Sequence, residues 1–69
     1  MILHEMLLEM QTWFSIPAHL LEKAKAIEPS PRECERILFL RKQWSKGHFD
    51  EDPQVLKNEL CEIAQSLGP

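Results

Sequence analysis

Residues 30–69 read SPRECERILFLRKQWSKGHFDEDPQVLKNELCEIAQSLGP, and the punctuation of this stretch decides the fold. Ser30, Pro31 and Glu33 stand in the order of a capping box with proline at the first helical position. Gly47 supplies the residue type that ends helices in a left-handed turn. Asp52-Pro53 repeats the opening signal, with Asp50 and Glu51 adding negative charge where a helix dipole favours it. Gly68-Pro69 is a stop. The stretch therefore predicts one helix over 31–46 and a second over 53–67. The link from Gly47 to Asp52 has a length usual for antiparallel helical neighbours. Leu56, Leu60, Ile63, Ala64 and Leu67 form the apolar stripe of the second helix, with Val55 on its edge. In the first, Cys34, Ile37, Leu38, Phe39, Leu40 and Trp44 cover more than one face. That helix is either central or carries a second contact surface.

Working outward, the N-terminal part is also patterned. Leu3, Met6, Leu7, Met10, Trp13 and Phe14 recur at helical spacing and predict a helix over 2–14, while Leu8 lies off the stripe and widens the apolar face. Ser15-Ile16-Pro17 breaks and restarts the chain, with Ser15 as the expected cap and Pro17 in the first turn. A helix over 16–27 follows, with Leu20, Leu21, Ala24 and Ile27 on its face, and Glu28-Pro29 stops it.

The chain has 69 residues, 43% apolar and 28% charged, which is globular composition and one domain at most. Its two glycines argue against a loop-rich or β-rich fold. A chain this short buries only about 60% of its unfolded surface, so its stability is marginal without a staple or a partner. Two cysteines, Cys34 and Cys61, are too few for a disulfide framework. One bridge between the C-terminal helices is possible, but reduced thiols in a cytoplasmic protein are the expectation. The first residues lack a basic region, and Glu5 and Glu9 interrupt the apolar run, so neither a signal segment nor a membrane span is expected.

The net charge of −3 is unevenly spread. Glu5, Glu9, Glu22 and Glu28 outweigh Lys23 and Lys25 in the first 28 residues. Arg32, Arg36, Arg41, Lys42 and Lys46 outweigh Glu33 and Glu35 in the next segment, and residues 49–69 are acidic again. A basic helix beside an acidic one is most simply internal charge matching.

Chemistry is sparse. No phosphate loop, nucleophile elbow or zinc pattern occurs. His4, His19, His48, Cys34 and Cys61 lack the close pairing a metal site needs, so neither metal nor cofactor is expected. Cys34 with a histidine would be the one nucleophile pair. A domain of this size leaves little room for a substrate pocket, which needs roughly 300 Å³. The face of the first helix has two readings: the core of a small bundle, or an adaptable Met- and Trp-bearing partner surface. Residues 15–47 also read as helix, turn and basic helix, with Arg32 and Arg36 early in the last, where a recognition helix contacts bases. An acidic final helix would repel phosphates.

The spacing of Leu40, Trp44, Gly47, Phe49, Asp52, Leu56 and Leu60 resembles the C-terminal helical pair of the flagellar anti-sigma factor family. The resemblance covers residues 40–60. It implies that Leu40, Trp44, Phe49, Leu56 and Leu60 face a sigma factor, whereas their own spacing makes them hairpin core. Lys57 stands where that family usually has a small residue.

The expectation is an all-α domain of three or four short helices with a C-terminal antiparallel hairpin. Its function is that of a small non-enzymatic regulator or adaptor. It would act through an apolar helical face, either on a protein partner or by self-association. The residues expected to bind are Leu3, Met6, Leu7, Met10, Trp13, Phe14, Leu40, Trp44 and Phe49. A helix-turn-helix regulator of DNA and an anti-sigma-like inhibitor stay open as alternatives.

Overall fold

A computed structural model describes residues 2–47 and 52–67. Among them the chain forms four helices and no strand: α1 Ile2–Met10, α2 Ala18–Ala26, α3 Pro31–Lys46 and α4 Pro53–Ser66. The fold is all-α, as expected. The corner residues 48–51, including Phe49, lie outside the described residues.

The two long helices form where their caps dictate. In α3 the Glu33 amide donates to Ser30 Oγ at 3.3 Å, and the Ser30 amide donates to Glu33 Oε1 at 3.1 Å. That reciprocal pair satisfies two amides that the first turn would otherwise leave without partners. Gly47 ends the helix at φ 68°, its amide donating to the Trp44 carbonyl at 3.3 Å. In α4 the Gln54 amide donates to Asp52 Oδ1 at 2.8 Å, with Pro53 at the first position. The helix stops at Ser66, and the buried Leu67 returns to the core in extended conformation.

The two short helices are shorter than their patterns suggest. α1 ends at Met10 rather than at 14. Residues 11–14 continue as turns, with Phe14 donating to the Met10 carbonyl at 2.9 Å and Thr12 Oγ1 to the Glu9 carbonyl at 2.9 Å. A threonine side chain bonded to the backbone, followed by two aromatics of modest helix propensity, favours this early end. α2 starts at Ala18, with Pro17 at the cap position and no side-chain cap; Ser15 does not serve. Ile16, restricted by the following proline, lies outside the helix and is buried instead.

α1 is the hub. It packs against α2, α3 and α4, while α4 also packs against α2 and α3. Leu3, Met6, Leu7 and Met10 are essentially inaccessible, and they meet Leu20 and Ala24 of α2, Ile37 and Leu40 of α3, and Leu56, Leu60 and Ala64 of α4 in one core. No buried side-chain nitrogen or oxygen among the described residues lacks a partner. The radius of gyration, 11.0 Å, equals the value expected for a compact chain of this length, about 11 Å.

Polar contacts fix how the helices lie. Arg36 of α3 is hydrogen-bonded through both its Nε and its Nη2 to the carboxylate of Glu59 on α4. Ser66 Oγ donates to Glu33 Oε2 at 3.3 Å. The start of α3 thus lies beside the end of α4, as antiparallel neighbours do. α4 has no basic residue in its own last turn. Lys23 of α2 supplies one, donating from Nζ to the Gln65 carbonyl at 2.7 Å, where a cation complements the dipole.

Candidate protein-interaction surface

Apart from Phe49, which lies outside the described residues, the residues expected to bind a partner divide into two groups. Leu3, Met6, Leu7, Met10 and Leu40 lie in the chain's own core and are not presented at its surface. Leu56 and Leu60, which the family resemblance would turn toward a sigma factor, are equally buried. Trp13, Phe14 and Trp44 are at least partly accessible. Phe14 and Trp44 rest against the core, and Trp13 is 74% exposed.

The turns after α1 produce this exposure. Had the helix continued to 14, Trp13 would have stayed on the inward stripe with Met6 and Met10. Because α1 ends at Met10, the chain carries Trp13 out to the end of α3. There its ring meets Trp44 edge-on, with centroids 6.1 Å apart and planes at 89°, the geometry an aromatic quadrupole favours. With Gly47 and Pro53 the two rings line an apolar hollow of ≈ 260 Å³. It suits one inserted side chain.

Four more exposed apolar residues were not among the expected binding residues: Leu8, Leu38, Phe39 and Val55. The signal for them is nevertheless in the sequence: Leu8 lies off the stripe of its helix, Val55 on the edge of its own, and Leu38 and Phe39 belong to a helix whose apolar residues cover more than one face. Phe39 lies one turn beyond Arg36, whose guanidinium carbon sits 5.2 Å from the ring centroid. Val55 lies one turn before Glu59. Both are on the corner side of the Arg36–Glu59 pair and flank it on the outer surface. Leu38 and Phe39, with Glu35, Arg41, Lys42, Ser45 and Lys46, shape a shallow depression along α3 alone. Leu38 is 51% exposed and has Arg41 and Lys42 one turn further on.

The electrostatics are those of structural contacts. The Arg36 guanidinium holds the Glu59 carboxyl below the usual carboxylate range, against a smaller upward push from burial. The Ser30 amide does the same for Glu33, helped by the Ser30 and Ser66 hydroxyls. Burial pushes the Cys61 thiol up, partly offset by Lys57, which leaves less thiolate at neutral pH. Cys34 and Cys61 are both free, and Cys34 Sγ donates to the Pro29 carbonyl at 3.6 Å. No group of three or more metal-ligating side chains gathers among the described residues. None of the described helices is long and apolar enough to cross a membrane.

The arrangement also bears on nucleic-acid binding. Arg32 is exposed, whereas Arg36 is engaged by Glu59 and Phe39. The helices of a helix-turn-helix pack on each other at a corner, and α2 and α3 do not pack together. No family model matches the chain, and neither a curated protein nor a solved structure matches it.

Proposed function

We propose that this chain is a small non-enzymatic regulator or adaptor of the cytoplasm that works by binding a protein partner through the Trp13–Trp44 corner. One observation carries the reading: a tryptophan 74% exposed, braced edge-on by a second. Tryptophan is enriched among the residues that dominate interface energies, and a rigid aromatic loses little conformational freedom on binding. The hollow between the rings, Gly47 and Pro53 has room for an apolar anchor from the partner. Two free cysteines fit a reducing compartment. No polar or charged residue is buried among the described residues, and the Arg36–Glu59 ion pair is spent holding α3 to α4. The aromatic corner therefore gains apolar contact when a partner covers it.

The test is affinity capture from the native cytoplasm with wild type and Trp13→Ala in parallel. Trp13→Ala is expected to fold, as judged by circular dichroism, and to lose a defined partner that wild type retains. Equal capture by both proteins would refute the assignment of this corner.

A further inference from the structure

A second surface, along the outer sides of α1 and α3, has the properties of an interface between copies of this chain. On α1, Glu5, Leu8 and Glu9 are spaced i, i+3, i+4, opposite the stripe of Leu3, Met6, Leu7 and Met10. All three are exposed, and Leu8 is 44% accessible. On α3, Leu38, Arg41 and Lys42 have the same spacing and are exposed as well. Each ridge has one leucine and two like charges; on α3 the exposed Glu35 stands one turn before Leu38 in the same depression, and Arg41 and Lys42 leave that ridge net basic. One ridge is acidic and the other basic.

The two ridges lie on the same side of the molecule. Glu5 Oε2 approaches Arg41 Nη1 at 4.0 Å across the seam between α1 and α3. The Arg41 and Glu5 side chains are 47% and 63% accessible, so this pair is worth little and is readily exchanged for another. A face that holds adjacent ridges of opposite charge is self-complementary under a two-fold rotation, which is the requirement for an isologous dimer. The rotation lays the acidic ridge of each copy on the basic ridge of the other, and both contacts form together.

We infer that this chain self-associates as a two-fold dimer through the outer faces of α1 and α3. Glu5 and Glu9 face Arg41 and Lys42 of the second copy, and Leu8 and Leu38 are covered at the two ends of the same contact. Two short ridges cover less than the roughly 800 Å² per partner of a standard stable interface. The dimer is therefore weak and reversible, and it loosens as salt screens its rim.

Complementary charge reversal tests this directly. The proteins are wild type, Glu5→Lys/Glu9→Lys and Arg41→Glu/Lys42→Glu, each checked for helicity, with mass read by sedimentation velocity at about 1 mM chain to populate a weak dimer. Wild type is expected to dimerise. Each variant alone places like charges against like and should weaken association at least about tenfold. An equimolar mixture restores opposite charges at both contacts and should recover a heterodimer, identified by a mass tag on one variant. A monomeric wild type overturns the inference, as do variants that dimerise undiminished or a mixture that stays monomeric. Trp13 is not one of the residues assigned to this contact, so Trp13→Ala should dimerise normally and the charge variants should keep the Trp13-dependent capture. The two proposals therefore fail separately.

Discussion

At Gly47 the backbone takes φ 68°, where a side chain is strained however much space surrounds it, and here a Cβ would meet nothing within 4 Å. Gly47→Ala should therefore cost about 1 kcal/mol from conformation alone. Gly47→Asn should cost less, because asparagine tolerates the left-handed region. Urea denaturation midpoints of the two variants check this order. Glu33 and Glu59 make a second residue-scale prediction. Both have folded pKa values lowered from 4.5, Glu33 by the Ser30 amide and Glu59 by Arg36. Their contribution to stability is therefore present above the unfolded value and is lost as pH falls through the folded one. Stability should drop below about pH 4.5, and Glu33→Gln/Glu59→Gln should flatten that acid limb in denaturation curves recorded from neutral pH downward. These details were legible in advance where a residue type has a single job. Ser30, Glu33, Gly47, Asp52 and Pro53 each sit where their local chemistry dictates. Trp13 was placed on a stripe by extrapolating a period through residues that do not continue the helix.

At the level of elements, the unexpected result is that α1, one of the two shortest helices, organises the other three. Its apolar width had two readings in sequence, core or partner face, because periodicity shows that a face is buried but not against what. Three helices surround it, and that accounts for Leu3, Met6, Leu7 and Met10. The remaining off-stripe residue, Leu8, stays outside. The same logic explains α3, whose apolar residues exceed what one contact face can bury: Ile37 and Leu40 go inward, Leu38 and Phe39 stay out. Leu7→Ala should cost about 2–5 kcal/mol. A domain this small rarely has more than about 3–5 kcal/mol to lose, so the variant should be largely unfolded at room temperature by circular dichroism. Lys23→Met removes only the cation at the end of α4 and should cost about 0.3–1 kcal/mol, visible as a small drop in melting temperature.

For the whole molecule, the internal charge matching expected from the uneven sequence charge takes a specific form. Arg36 and Glu59 join the basic and acidic C-terminal helices, and Lys23 reaches α4 from α2. What this matching leaves over is an exposed aromatic corner and a two-toned face across α1 and α3. Neither could be located from sequence, because each depends on which helices become neighbours. The central claim is that α1 is the core element, so that function resides on these outer surfaces. Amide hydrogen exchange of the isolated chain tests it most directly. The account predicts that the hydrogen-bonded amides of α1 exchange as slowly as those of Ile37 to Leu40 and Leu56 to Ala64, through global unfolding alone. Rapid exchange throughout α1, while α3 and α4 stay protected, would contradict it and return the Leu3–Met10 stripe to the role of a free binding face.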